Sequence, residues 1–123
     1  MAGAPILIVD DNAANLKLAR VLLVADGHDV RTASSAEEAL MVLKSFRPRL
    51  ILMDLQLPGI DGLELVRRLK ADPARRDIVV IALTAYAMKT DETEALAAGC
   101  DAYITKPIDP DEFPATIRGL LSS

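Results

Sequence analysis

The amino-acid sequence predicts an α/β fold, a five-stranded parallel sheet in the order 2-1-3-4-5 with helices on both faces. Short apolar runs alternate with segments of helical periodicity five times along the chain, a pattern typical of parallel strands joined by crossover helices. Right-handed crossovers limit the topology of such a sheet. A closed eight-stranded barrel would need about twice the length of this chain. We therefore expect one doubly wound (βα)5 domain spanning residues 1–123.

The first strand is predicted at residues 5–10, and the first helix begins after Asn12. The strand is a compact apolar run that ends in two carboxylates. Asn12 is a candidate N-cap, and Gly27 is a stop signal. The helix carries two apolar stripes, one with Leu16, Ala19 and Leu23 and the other with Leu18, Val21, Leu22 and Ala25. The second stripe predicts either a broadly buried helix or a surface that docks a partner.

A weaker strand and a second helix follow. Residues 30–33 predict a weak strand that has no polar residue at its end. Ser35 and Glu38, three residues apart, have the spacing of a capping box and predict a helix that runs to about Phe46.

The central strand is predicted at residues 50–54. This run is apolar and too short for a helix, which indicates a strand buried on both faces. The run ends in a single carboxylate, Asp54, just before a turn signal. The next helix follows Asp61, a candidate cap, and ends before Asp72 and Pro73. Its apolar face consists of Leu63, Leu65, Val66 and Leu69.

The fourth strand is predicted at residues 78–83 and is followed by Thr84. Residues 88–98 predict a fourth helix that Gly99 closes. This helix has the fewest large apolar side chains of the five, so we expect the sheet to hold it most weakly.

The last strand is predicted at residues 102–105, directly before Lys106. The fifth helix is expected to start at Asp109, although Pro114 restricts its first turn.

Composition excludes several classes of partner. The formal net charge is −4, and no cluster of Lys and Arg along the chain favours nucleic acid. The N-terminal apolar run meets two carboxylates too soon to be a signal peptide or a membrane span, so we expect a cytoplasmic protein with no membrane partner. The lone Cys100 is interpreted as a small buried residue. His28 lies in a turn composition and is expected on the surface.

Polar residues end four of the five predicted strands. They are Asp10 with Asp11, Asp54, Thr84 and Lys106. Parallel strands place their carboxyl ends at one edge, and in this order the crevice falls between strands one and three. We therefore expect these side chains to form one site.

Phosphate chemistry is the reaction class that these groups favour. Clustered carboxylates repel one another, and an all-oxygen ligand set favours Mg²⁺ or Mn²⁺ over zinc. Mg²⁺ retains waters that phosphoryl oxygens can replace. An ammonium group and a hydroxyl on the other side would bind those oxygens, and a carboxylate between them can act as the nucleophile.

Over nearly its whole length the chain resembles the receiver domain of two-component response regulators. The matching residues are Asp10, Asp11, Asp54, Pro58, Gly62, Thr84, Ala85, Tyr103, Lys106 and Pro107. The segments around Asn12, Asp54 and Thr84 are also similar to DivK-type single-domain cell-cycle regulators and to receivers of hybrid sensor kinases. The resemblance implies a flavodoxin-like fold and a single receiver domain with no output domain.

The resemblance also implies how the phosphoryl group is received. Asp54 would accept it from a phosphohistidine on a histidine kinase or a histidine phosphotransfer protein. Mg²⁺, or Mn²⁺ in its place, would be bound by Asp11 directly, by Asp10 mostly through water, and by Asp54. The backbone carbonyl of Gln56 would add a ligand.

Two further groups would contact the phosphoryl group. The resemblance implies that Lys106 does so, positioned by a cis peptide bond to Pro107. Thr84 would hydrogen-bond to the same group. Gln56 and Tyr86 flank the acceptor and the threonine, and they either set the lifetime of the acyl phosphate by screening water or are surface residues.

The output surface implied by the resemblance is the face of the fourth helix, the fifth strand and the fifth helix. Movement of Thr84 toward the phosphoryl group would let Tyr103 turn inward and remodel that face. Taken without the resemblance, Tyr103 is equally a half-buried strand aromatic. A downstream effector or kinase would bind this face in a phosphorylation-dependent way, and the chain itself would be a monomer or weak dimer.

Two other function classes compete with a signalling switch. A metal-dependent phosphohydrolase would use Asp54 as nucleophile, but related enzymes need a second Asp two residues later, where this chain has Gln56. We therefore expect no enzymatic turnover beyond self-phosphorylation and autodephosphorylation at Asp54. A receiver-like scaffold that is never phosphorylated is disfavoured because no site residue is missing.

Overall fold

The strands of the computed structural model form one parallel sheet, as predicted. The structure describes residues 3–55, 62–84, 93, 96–105 and 108–122. The strand order is β2-β1-β3-β4-β5, and each neighbouring pair is parallel. The strands are β1 (Pro5–Val9), β2 (Asp29–Ala33), β3 (Leu50–Asp54), β4 (Val79–Thr84) and β5 (Ala102–Thr105).

Helices cover both faces of this sheet. They are α1 (Ala13–Ala25), α2 (Ala36–Leu43), α3 (Gly62–Ala71) and the C-terminal helix (Phe113–Ser122). Of the predicted fourth helix, residues 93 and 96–98 are helical, and the others lie outside the described residues. Gly99 has φ +115°, the left-handed conformation of a helix-ending glycine. No helix in the described part of the chain has both the length and the apolar character to cross a bilayer.

The central strand β3 is buried on both faces. Ile51 and Met53 pack in the layer formed with α2 and α3. Leu50 and Leu52 pack in the opposite layer, with α1 and the C-terminal helix. Burial of each such aliphatic side chain stabilises the fold by about 1.5–3 kcal/mol. The short apolar run is therefore a strand because each of its faces meets a helix layer.

The predicted N-caps of α1 and α2 are confirmed, and the N-cap of α2 has an additional contact between Glu38 and Ser34. Asn12 Oδ1 accepts the N–H groups of Ala14 and Asn15 at 2.9 and 3.1 Å. Ser35 Oγ accepts the N–H of Glu38 at 3.0 Å. The Glu38 carboxylate returns to Ser34, one residue earlier than in a regular capping box.

Two helix boundaries differ from the prediction by about one turn. Helix α2 ends at Leu43 rather than near Phe46, because the N–H of Lys44 bonds the Met41 carbonyl three residues back at 3.2 Å. The C-terminal helix begins at Phe113 rather than Asp109. The Asp109 carboxylate accepts the N–H of Asp111 at 2.9 Å and the Asp109 carbonyl accepts the N–H of Phe113 at 2.9 Å, so residues 110–112 form a turn that leads into the helix.

The second apolar stripe of α1 is exposed except at Leu22, which is partly buried and packs against the layer of α1 and the C-terminal helix. Leu18 and Val21 are 36% and 52% exposed, whereas Ala19 and Leu23 on the other stripe are fully buried. The alternative of a broadly buried helix is therefore wrong.

His28 is buried, so the prediction that it lies on the surface is wrong. Its ring is packed where the chain start meets the turn after α1, and its Nδ1 accepts the N–H of Ala4 at 3.0 Å. The approach is close, since a Cβ at Gly3 would lie 1.8 Å from the carbonyl oxygen of Gly27. Tertiary packing of two glycine backbones thus encloses a residue that its local turn composition places outside.

Cys100 is buried in the layer with α2 and α3, as predicted. Burial, together with the negative charge of Asp101, raises the pKa of the thiol to about 11, although Lys70 opposes the shift. The thiol is therefore a neutral packing group at physiological pH.

Candidate phosphoacceptor site

Three carboxylates meet at one edge of the sheet, which we call the carboxylate edge. Asp10 directly follows β1, and Asp54 is the last residue of β3. These strands pair in parallel with Val9 opposite Met53, so the two aspartates end neighbouring strands side by side. Asp11 follows in the loop. One carboxylate oxygen of each of the three aspartates lies within 4.8 Å of the others.

The three aspartates differ in their exposure. Asp10 is fully buried and Asp54 is 4% exposed, whereas Asp11 is exposed. Burying carboxylates is costly unless opposite charge or hydrogen bonds compensate. The donor set consists only of carboxylate oxygens, which suits a hard divalent cation such as Mg²⁺. One exposed member leaves the site open to solvent on that side.

Side-chain hydrogen bonds fix the loop that carries Asp10 and Asp11. The N–H of Asp10 continues the ladder to β2 by donating to the Ala33 carbonyl at 3.1 Å. Asp10 Oδ1 accepts the N–H of Asn12 at 2.9 Å, and Asn12 in turn caps α1. Asn12 therefore couples the orientation of the Asp10 carboxylate to the start of the first helix.

Gly62 lies against the end of β3, a contact that the sequence analysis missed. It is the first residue of α3, and a Cβ there would lie 2.5 Å from the Asp54 carbonyl oxygen and 2.9 Å from Leu55 Cα. Real side chains do not approach backbone this closely, so only glycine fits here. The one signal for this contact in the sequence is a glycine at the start of the helix that follows the strand ending in Asp54.

The backbone of β4 brings Thr84 to the same edge. Leu83 lies opposite Asp54 across the β3 and β4 pair, and Thr84 follows it. Thr84 lies opposite Thr105 across the β4 and β5 pair, and Lys106 is the next residue in the sequence. The side chain of Thr84 and the residues Gln56, Tyr86, Lys106 and Pro107 lie outside the described residues.

Tyr103 lies on β5 and is 39% exposed. It lines a surface depression of about 300 Å³ together with Thr105 and with residues from the start of the C-terminal helix, Glu112 and Phe113. The aromatic side chain is therefore at the surface of the face formed by β5 and the C-terminal helix.

Residues 6–118 match the family described as the response regulator receiver domain, so the chain belongs to that family. The resemblance stated from the sequence is thereby confirmed. The chain is also 47% identical over 116 residues to the polar-differentiation response regulator DivK of Brucella anthropi, a match that covers 94% of each protein.

Solved receiver structures share the fold. A CheY-like response regulator receiver domain protein from Methanospirillum hungatei is 33% identical, with a TM-score of 0.89, covering 98% of this chain and 95% of that one. The signal receiver domain of a signal transduction histidine kinase from Syntrophus aciditrophicus is also 33% identical, with a TM-score of 0.88, covering 98% and 91%. The α/β fold with strand order 2-1-3-4-5 is thus that of CheY-like receivers.

Proposed function

We infer that this chain is the receiver of a two-component phosphorelay and that Asp54 is its phosphoacceptor. The observation that carries this inference is the convergence of Asp10, Asp11 and Asp54, whose carboxylate oxygens lie within 4.8 Å of one another. Of the three, Asp54 ends the central strand, and its backbone is held both by β3 pairing and by the close approach of Gly62. A nucleophile fixed in this way loses little entropy on attack.

The transfer step is a displacement at phosphorus. A carboxylate oxygen of Asp54 attacks the phosphorus of a phosphohistidine, on a histidine kinase or a histidine phosphotransfer protein, as the P–N bond breaks. The electron pair of that bond stays on the imidazole nitrogen, which then takes up a proton. Hydrolysis of the resulting acyl phosphate returns Asp54 to its carboxylate.

Asp10, Asp11 and Asp54 would hold Mg²⁺, with Mn²⁺ as a substitute, and the carbonyl of Gln56 would complete the ligand set. When bound, the ion supplies positive charge that offsets the negative charge of the carboxylates and of the incoming phosphoryl oxygens. The exposed Asp11 lies on the side that a phosphodonor must approach. The buried Asp10 keeps its carboxylate oriented through the Asn12 N–H.

Lys106 and Thr84 would contact the phosphoryl oxygens from the other side. Strand register supports this, because Thr84 and Thr105 are paired neighbours and Lys106 is the next residue in the sequence. A cis peptide bond before Pro107 would aim the lysine. Gln56 and Tyr86 would tune the rate at which water reaches the acyl phosphate.

Helix α1 would dock the phosphodonor. Its exposed side chains Leu18 and Val21 form an apolar stripe on the helix that begins directly after Asp11 and Asn12. A partner seated on this stripe would bring a phosphohistidine to the carboxylate edge. Exposed aliphatic side chains next to a charged site are typical of such contacts.

The output would be read at the face containing β5, the C-terminal helix and the predicted fourth helix. Exposed Tyr103 on that face would turn inward as Thr84 is drawn toward the phosphoryl group. A downstream effector or kinase then binds with an affinity that differs between the two states. Signalling of this kind requires contact only, with no turnover of an external substrate.

Incubation with a small acyl phosphate and Mg²⁺ tests the proposal. We expect one phosphoryl group that is stable to acid and labile to hydroxylamine, and none on the Asp54→Asn variant. The matched control is Asp29→Asn, an exposed aspartate at the start of β2 and outside the cluster, which should be labelled like the wild type. Equal labelling of Asp54→Asn and the wild type would contradict the assignment of the acceptor.

A further inference from the structure

One face of α1 combines exposed apolar side chains with positive charge. Of the six large apolar side chains that are exposed in the described part of the chain, three lie on this helix. They are Leu18, Val21 and Val24, which are 36%, 52% and 47% exposed. Lys17 and Arg20, both exposed, precede the two valines by four residues each and so lie beside them on the helix surface. We call these five residues the α1 face.

The charge of α1 has a single sign. Lys17 and Arg20 are its only charged residues, because residues 13–25 contain no Asp or Glu. Neither cation has a carboxylate within ion-pair distance in the part of the chain that the structure describes. By contrast, Arg68 on α3 contacts Glu64 at 3.3 Å. The α1 face therefore presents two unneutralised positive charges on a protein whose formal net charge is −4.

The stability of the folded chain explains little of this composition. Valine is a weaker helix former than alanine or leucine, and Val21 and Val24 remain about half exposed. Cations in the middle of a helix gain little from its dipole, which acts on the terminal turns. The carboxylates that flank α1 in the sequence have other surroundings, because Asp26 contacts Arg118 at 2.6 Å and Asp11 belongs to the carboxylate edge. A partner would bury the valines and pair the cations.

The α1 face is continuous with the candidate phosphoacceptor site. Asn12 caps the helix and donates its N–H to Asp10 at 2.9 Å. With a rise of 1.5 Å per residue, Lys17 and Arg20 lie about 8 and 12 Å along the helix axis from Asn12. A protein that rests on α1 and brings a phosphohistidine to the carboxylate edge would therefore place its own side chains at these two distances from the histidine.

The spacing and charge of the α1 face favour a helical partner that carries carboxylates. Leu18, Val21 and Val24 are spaced like the ridge of a helix that packs against another helix. An amphipathic helix covers such a stripe with its own apolar side. Carboxylates beside that side would pair with the guanidinium of Arg20 and the ammonium of Lys17. A small anion would leave the apolar side chains exposed.

We propose that Lys17 and Arg20 determine which phosphodonors the chain accepts, by pairing with Asp or Glu about five to eight residues from the phosphohistidine on a donor helix. This inference rests on the proposed role of Asp54 as phosphoacceptor. The apolar side chains of the α1 face bury area with any helical donor, whereas the two cations favour an acidic donor and repel a basic one. Lys17 and Arg20 are thus positioning residues that hold the donor.

Phosphotransfer from stapled helical peptides to the whole chain tests the proposal. Each peptide has one phosphohistidine and an apolar side, with either Glu or Lys five and eight residues to each side of the histidine. On the wild type we expect the initial rate of transfer to Asp54 to be at least about fivefold higher from the Glu peptide. The double variant Lys17→Glu, Arg20→Glu should reverse this preference. Arg67→Glu with Arg68→Glu, on α3, is the matched control and should keep it.

Binding of the same peptides without the phosphoryl group gives a second measurement that needs neither transfer nor a variant. We expect the Glu peptide to shift the backbone amide signals of Lys17, Leu18, Val21 and Val24 of the wild type in NMR spectra, and the Lys peptide to shift them less at equal concentration. Shifts that cluster on the C-terminal helix instead would overturn the proposal.

Labelling by a small acyl phosphate separates this inference from the proposed function, because such a donor has no helix to rest on α1. If the small donor labels Asp54 and the Glu and Lys peptides transfer at equal rates, the role of the two cations is wrong and the acceptor assignment stands. If the small donor does not label Asp54, the acceptor assignment is wrong, and the inference that rests on it is wrong as well.

Discussion

At the scale of single residues, Cys100 and His28 are buried outside the carboxylate edge. Cys100 and His28 both lie in sequence contexts rich in glycine and aspartate. Both are buried, but the structure uses them differently. His28 accepts a hydrogen bond from Ala4, whereas Cys100 packs among aliphatic side chains.

Cys100 should be unreactive in the native protein. Burial raises the pKa of its thiol to about 11, so little nucleophilic thiolate exists near neutral pH. We expect a disulfide reagent such as Ellman's reagent to label the native chain at least about tenfold more slowly than the unfolded chain in denaturant. Comparable rates in the two states would contradict the burial of this side chain.

Glu38 gives a pH-dependent contribution to stability. Hydrogen bonds from the Ser34 side chain and backbone lower the pKa of Glu38 from its ordinary 4.5. Because the folded-state pKa is depressed, the contribution is complete above the unfolded pKa and is lost as pH falls through the folded one. The wild type should therefore be more stable than Glu38→Gln near neutral pH, and the difference should shrink below about pH 4.5.

Urea unfolding of the two proteins across that range measures the effect. Glu37→Gln, the neighbouring exposed glutamate, is the control for loss of charge at the same helix end. A difference between wild type and Glu38→Gln that stays constant with pH would rule out the Ser34 contact as its cause.

At the scale of elements, α3 and β3 are in backbone contact at Gly62. The first turn of the helix lies against the residue that carries the candidate phosphoacceptor. Any side chain at this position must push the helix or the strand end away. A displacement of α3 should therefore displace Asp54, and a displacement of Asp54 should displace α3.

Gly62→Ala should separate the two elements at a measurable cost. Its Cβ would collide with the Asp54 carbonyl oxygen, and overpacking of this kind typically destabilises by about 1–3 kcal/mol. Labelling of Asp54 by a small acyl phosphate should also slow. Chemical denaturation and the initial rate of labelling measure the two effects.

Gly119→Ala is the matched control for this substitution. Gly119 lies within the C-terminal helix, and a Cβ there would meet no heavy atom within 4 Å. Replacing an unhindered helical glycine should stabilise by about 0.5–1 kcal/mol. Equal effects of the two substitutions would contradict a special contact at Gly62.

The elements themselves were predictable from the sequence, and their tertiary contacts were not. Apolar runs and capping residues are local signals in the sequence. The strand at 50–54 and the N-cap at Asn12 could therefore be predicted from neighbouring residues alone. The predicted parallel arrangement of the strands also indicated that Asp10 and Asp54 lie at the same edge of the sheet. Two helix ends differ from the prediction by about a turn, where hydrogen-bonded turns adjoin the helices at Lys44 and Asp109.

The features that the sequence did not reveal depend on residues far apart in the chain. The glycine backbone that encloses His28 belongs to Gly3, and Gly62 contacts the backbone of Asp54, which precedes it in the chain and ends a different element. Arg49 likewise donates to the carbonyl of Leu121, from the other end of the chain. Local sequence patterns do not detect contacts of this kind.

At the scale of the whole molecule, mutual repulsion of the carboxylates should oppose folding until a cation is bound. Asp10, Asp11 and Asp54 come together only in the folded chain, and like charges at this distance repel. A ligand that binds only the folded state stabilises it in proportion to the logarithm of its concentration.

Mg²⁺ should therefore raise the melting temperature of the wild type by a few degrees. Asp11→Asn should melt higher than the wild type without Mg²⁺, because one repelling charge is removed, and it should gain little from the ion. Thermal unfolding with and without Mg²⁺ measures both effects. An identical Mg²⁺ response in the two proteins would argue against Asp11 as a ligand.

The carboxylate edge concentrates the negative charge of three aspartates at one end of the strands. Asp11 is the exposed member of this cluster. Near a cationic support at neutral pH, Asp11 would therefore turn toward the support. Immobilisation on such a support would cover the proposed phosphoacceptor site.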